Sequence, residues 1–154
     1  MRHALLLLFV LLGLPAWAAD KSAFPRYASL KVGEVNVRAG PGSQYPILWV
    51  YKQESYPVKL LAEFENWYKI RDVEGEEGWV FRNFVSGRRT TVVSAGTPLP
   101  LYRDPGDIKP LLFLEAGVLA TLGDCEGAYC ALRVKNYKGW AKRGRLLMVE
   151  GGAD

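Results

Sequence analysis

Histidine is nearly missing from this chain: 154 residues contain one, His3. It lies in a leading segment expected to be removed on export, so residues 19–154 carry none. Without an imidazole, neither a Cys-His nor a Ser-His-Asp nucleophile can be assembled, and zinc sites that use histidine are excluded. Cysteine is scarce as well. Cys125 and Cys130 stand alone with four residues between them, which is neither a redox CxxC pair nor half of a four-cysteine metal site. Long apolar runs are also lacking, since the longest, Ala4 to Leu12, falls short of the about 20 residues a membrane-crossing helix needs. No metal or cofactor is expected. Paired carboxylates, lysine bases and an all-oxygen metal site are the remaining catalytic routes, none with a motif here, and Glu63, Glu65, Glu74, Glu76 and Glu77 form the one dense acidic cluster. Its place in a charged turn reads as a solvated loop. The protein is therefore expected not to be an enzyme, with a carboxylate-based hydrolase as the competing class.

What the chain does contain is turn chemistry and aromatic residues: 16 glycines, nine prolines and 12% Phe, Trp and Tyr. That balance favours short strands joined by tight turns. Met1-Arg2-His3, the apolar run and Ala16-Trp17-Ala18 together form an export signal with cleavage near Ala18. The expected location is periplasmic or extracellular, with no transmembrane segment after cleavage. Disulfides persist there, so Cys125 and Cys130 are expected to be bonded. Glu126-Gly127-Ala128-Tyr129 between them reads as a hairpin tip.

The sequence repeats itself. Val35-Asn36-Val37-Arg38-Ala39-Gly40-Pro41-Gly42, Trp67-Tyr68-Lys69-Ile70 and Gly78-Trp79-Val80 have counterparts in Leu99-Pro100-Leu101-Tyr102-Arg103-Asp104-Pro105-Gly106, Ala131-Leu132-Arg133-Val134 and Gly139-Trp140-Ala141. Aligned this way, the offset is 64 residues from Val35/Leu99 through Ile70/Val134 and 61 at the Gly-Trp pair. Apolar residues alternate at Val35/Val37, Val58/Leu60, Tyr68/Ile70 and Leu132/Val134, the period of a half-buried strand. No helical stripe is present. The expectation is an all-β chain of two tandem small barrels, with Ser86-Gly87-Arg88-Arg89 between them and with Trp79 and Trp140 filling their cores.

The stretch Val35 to Ser43, the Trp-Tyr-Lys-Ile segment at Trp67 and the Gly-Trp-Val at Gly78 resemble the bacterial SH3-like (SH3b) domain family in an exported tandem form. The resemblance runs from about Ser29 to Val149, giving SH3-like units at residues 29–86 and 92–149 after a signal peptide at residues 1–18. It implies a binding module of the cell envelope that recognises peptidoglycan peptides or an envelope protein. Repeat two departs from the pattern, with Leu-Tyr-Arg-Asp-Pro-Gly at Leu101 and Ala131 aligned with Trp67. This opens an alternative in which the second barrel docks on the first and the chain is an adaptor or sensor.

Candidate ligand-binding residues are Arg38, Tyr45, Trp67 and Tyr68. If Tyr68 and Ile70 face inward, Trp67 and Lys69 face outward, where Trp67 either meets ligand or covers a seam between the barrels. Arg38 pairs either with a ligand carboxylate or with a local acid such as Glu34. Residues 19–85 carry nine basic and nine acidic side chains, whereas residues 86–154 carry ten and seven. Arg133, Lys135, Lys138, Lys142, Arg143 and Arg145 occur without an intervening acid. This basic patch suits an anionic polymer or lipid headgroup, or else is a solvated strand face that discourages edge pairing. Export argues against nucleic acid in a normal role.

Overall fold

A computed structural model describes residues 24–153; the expected export segment, residues 1–18, lies outside them. The protein is all-β. Fourteen short strands and two 3-10 turns follow one another, and no α-helix occurs among the described residues. The first half contains β1 (Arg26–Leu30), β2 (Val35–Arg38), β3 (Ile47–Tyr51), β4 (Pro57–Phe64), β5 (Trp67–Arg71), β6 (Glu77–Phe81), a 3-10 turn at Arg82–Phe84 and β7 (Val85–Ser86). The second repeats the order with β8 (Thr90–Val93), β9 (Leu99–Leu101), β10 (Leu112–Leu114), β11 (Leu119–Glu126), β12 (Tyr129–Val134), β13 (Tyr137–Lys142), a 3-10 turn at Arg143–Arg145 and β14 (Leu146–Leu147).

In the first half the strand order is β3-β2-β6-β5-β4-β1-β7, with every pairing antiparallel. The second has β13-β12-β11-β8-β14 plus a β10-β9 ribbon, and the bridge between Tyr102 and Trp140 joins the two pieces in the same order. Two separate apolar clusters result. Val35, Val37, Val58, Leu60, Ile70 and Val80 lie in one, and Leu99, Leu101, Leu122, Leu132, Ala141 and Leu146 in the other. The alternation read from the sequence sets both, because period two sends every second side chain to the same face.

The two tryptophans that follow glycine are not in these cores. Trp79 and Trp140 are half-exposed, while their neighbours Gly78, Val80, Gly139 and Ala141 are buried. Parity explains the correction: the inward position of each pair belongs to the glycine, so the tryptophan points out. The glycines are needed because another strand crosses there. A Cβ on Gly78 would collide with Val37, and one on Gly139 with the Tyr102 carbonyl and Leu101.

The repeat alignment also shifts. Ile70 faces Gly78 and Leu132 faces Gly139, so Ile70 corresponds to Leu132 and the offset along β5 and β12 is 62 residues, not 64. Tyr129, rather than Ala131, therefore stands at the place of Trp67. A slip of two preserves which face each residue occupies, so hydrophobic alternation gave no warning.

Cys125 and Cys130 are bonded. They are cross-strand partners in the β11–β12 hairpin, with Glu126 opposite Tyr129 at its tip. The two halves touch where the Thr90 hydroxyl donates to the Ser55 carbonyl at 2.7 Å.

Candidate functional site

A cleft of about 520 Å³ opens on one face of the first half. Its apolar wall is built by register. Trp67 begins β5 opposite Phe81 at the end of β6, and their rings meet edge-on at 5.5 Å. Phe84, in the following 3-10 turn, continues the wall at 5.8 Å from Phe81. Phe84 is exposed and Trp67 and Phe81 are half-exposed, so together they offer aromatic surface to a ligand. Asn36, Arg38, Gln44 and Glu65 supply the polar rim.

Arg38 does not pair with Glu34, whose partner is Lys52 at 2.5 Å. Its Nη1 donates to the carbonyls of Ser43 and Tyr45, at 3.0 and 2.7 Å. The guanidinium thereby holds the loop from residue 39 to residue 46 against the cleft. Gly40 helps to shape that loop, because the Tyr45 ring occupies the space a Cβ would take. Tyr45 is exposed but serves the loop rather than lining the cleft. Tyr68 faces the core, 9% exposed, and its hydroxyl accepts from Arg26 at 3.4 Å. Of the four expected ligand residues, the fold brings Arg38 and Trp67 together in the cleft.

No pattern in the sequence singles out Phe81, Phe84, Asn36 or Gln44 for the cleft, and Glu65 stands out only as part of the acidic cluster. The one signal for Phe81 is the outward parity it shares with Trp79 on β6. Phe84 lies in a 3-10 turn that no alternation describes.

Elsewhere in the first half, Tyr51 stacks on Tyr56 at 4.9 Å and meets Trp49 edge-on at 6.2 Å. The Tyr51 hydroxyl donates to Asp72 at 2.7 Å. Asp72 is buried and also accepts from the backbone N–H groups of Glu74 and Glu76, both at 2.9 Å. Burial first, then the Asp72 hydrogen bond, pushes the Tyr51 phenol far above its ordinary value. The Tyr56 phenol rises to about 12 through burial and the negative charges of Asp72 and Glu74. Asp72 thus organises the β5–β6 turn.

The acidic cluster of the sequence is dispersed by the fold. Glu63 pairs with Arg82 at 2.7 Å, and Glu77 pairs with Lys69 and Arg71 at 2.8 and 2.5 Å. Hydrogen bonds from Lys69 and then Arg71 hold the Glu77 carboxyl below its usual range. Glu65 stands at the cleft rim, and Glu74 and Glu76 lie beside Tyr51 and Tyr56. Among the described residues, no three His, Cys, Asp or Glu side chains are grouped so as to hold a metal ion. No helix among them is long and apolar enough to cross a membrane.

The basic patch divides too. Arg143 donates to the Gly127 carbonyl at the hairpin tip. Arg145 donates to the Ser94 hydroxyl at 3.2 Å and the Thr97 carbonyl at 2.8 Å. Lys135 sits in the β12–β13 turn with φ 52°, and Lys142 lies opposite Tyr129. Arg133 and Lys138 face each other across β12 and β13.

Residues 31–87 match the sequence profile of the bacterial SH3 domain. The chain is 30% identical to the putative N-acetylmuramoyl-L-alanine amidase YrvJ of Bacillus subtilis (strain 168), an alignment covering 73% of this chain and 24% of that protein. It therefore spans about a quarter of the length of that relative. Among solved structures, NlpC2 and NlpC1 of Trichomonas vaginalis align at 14% identity and a TM-score of 0.38. These alignments cover 85% of this chain and 51% of NlpC2, and 84% of this chain and 48% of NlpC1.

Proposed function

We propose, on the premise that residues 31–87 form a bacterial SH3 domain, that this chain is a non-catalytic binding protein of the cell envelope. Residues 29–86 and 92–149 are its two binding units, and export through residues 1–18 fits that location. The first unit takes peptidoglycan peptides in the cleft of Arg38 and Trp67. One observation carries the reading: an aromatic wall, a guanidinium and the Glu65 carboxylate converge on a single opening. A short peptide bearing both a carboxylate and an amine presents the complementary groups. Similarity to a protein named as an amidase of N-acetylmuramoyl-L-alanine supports a wall ligand.

Co-sedimentation of the protein with purified sacculi tests this. Wild type is expected in the pellet, and Trp67→Ala should weaken retention by about tenfold or more, as removal of a central aromatic contact does. A wild-type protein that stays in solution overturns the wall-binding reading. The adaptor reading is favoured by one contact, the Thr90 to Ser55 hydrogen bond, which ties the first residue of β8 to the body of the first unit.

A further inference from the structure

We propose that the second unit carries its own ligand site, a cationic cleft beside Trp140 that binds a phosphorylated sugar. This goes beyond the reading of the first unit and does not rest on it. The cleft, about 290 Å³, lies on the outer face of β11, β12 and β13. Gly123 and Ala131 give it a low floor, with Trp140, Arg103, Arg133 and Lys138 standing around it.

The charge arrangement singles the site out. Across β5 and β6, Arg71 stands opposite Glu77 and forms an ion pair with it. The corresponding pair across β12 and β13 is Arg133 opposite Lys138. Like charges in direct cross-strand register are destabilising. Four ion pairs occur among the described residues, and all lie between residues 34 and 82. None of the nearby acids Asp104, Asp107 or Asp124 is within ion-pair distance of Arg103, Arg133 or Lys138. The cleft thus gathers three cations with no ion-pair partner among the described residues.

A phosphate monoester suits this deficit better than a carboxylate. It brings nearly two negative charges and three acceptor oxygens, and arginine grips it with two parallel N–H donors. The half-exposed indole of Trp140 adjoins the same floor and provides a flat apolar face for the sugar ring. The volume is at the lower end for ligand pockets, which matches one sugar unit with its phosphate.

The test is an NMR titration of the full chain with glucose 6-phosphate, reading the Trp140 indole and the backbone of β12 and β13. A saturable shift confined to this cleft is expected. Inorganic phosphate should move the same signals with weaker affinity, and glucose should leave them in place. Lys138→Glu is the decisive variant: by placing an acid opposite Arg133 it should raise the melting temperature while lowering affinity at least tenfold. Lys142→Glu should leave binding unchanged. Absence of a saturable shift at Trp140, shifts spread evenly over Lys142 and Arg143, or full binding by Lys138→Glu would each overturn the proposal. Signals from Trp67, read in the same spectra, should stay in place, and the first cleft is tested separately by co-sedimentation with sacculi.

Discussion

The two halves use one strand order for opposite electrostatic ends. In the first, three cations are neutralised within the chain: Lys69 and Arg71 share Glu77, and Arg82 has Glu63. In the second, Lys138 takes the place of Glu77, and Arg133 is left facing a like charge. The aromatic positions diverge in parallel. Trp67 and Phe81 form a wall in the first half, whereas Tyr129 faces Lys142 in the second and meets Tyr102 edge-on at 6.4 Å. Inward positions are held to apolar residues by the need to fill a core. Outward ones are free to specify different ligands on the same scaffold.

The separateness of the two cores is the part of this comparison most open to a large perturbation. Leu101 is fully buried in the second cluster, and Leu101→Ala should cost about 3 kcal/mol from lost burial and the cavity left behind. Chemical denaturation followed by residue-resolved NMR is expected to show β8 to β14 melting earlier while β1 to β7 hold. Simultaneous loss of both halves would instead favour the adaptor reading, in which docking is obligatory.

A smaller effect tests a feature of the first half alone, the buried Asp72. Asp72→Ala removes the acceptor of one phenol and two backbone N–H groups and should cost about 2 kcal/mol, as expected when donors to a charged partner lose it. The Tyr51 phenol should then titrate at lower pH, which ultraviolet difference spectroscopy measures directly.

The smallest effect concerns Glu77. Its folded-state carboxyl is held low, so its contribution is present above the unfolded value, about 4.3, and fades as pH falls through the depressed folded value. Glu77→Gln should melt slightly below wild type at neutral pH, and the gap should close in acid. An unchanging gap across that range would show that the Lys69 and Arg71 pairing contributes nothing. At this exposure a small contribution is the expectation.

Much of the architecture was legible. Alternation at Val35/Val37, Val58/Leu60 and Tyr68/Ile70 placed the strands and their inner faces, and Tyr68 and Ile70 are buried as that pattern requires. The outward setting of Trp67 followed from the same parity. At Trp79 and Trp140 side-chain size suggests core filling, but strand phase puts the glycines inside and the tryptophans outside. The cleft was half legible. Arg38 and Trp67 stand in the motif, but Phe84 reaches the wall through a 3-10 turn, and Tyr45 is drawn away by its packing on Gly40.

Local periodicity and turn residues in the sequence set the all-β class and the inward face of each strand, since both are read along a single strand. Only the tertiary structure decided which residues oppose one another. Cross-strand register is invisible to a pattern of period two, and register is what gave Arg71 an acid, Arg133 a second cation and Trp67 its partner Phe81.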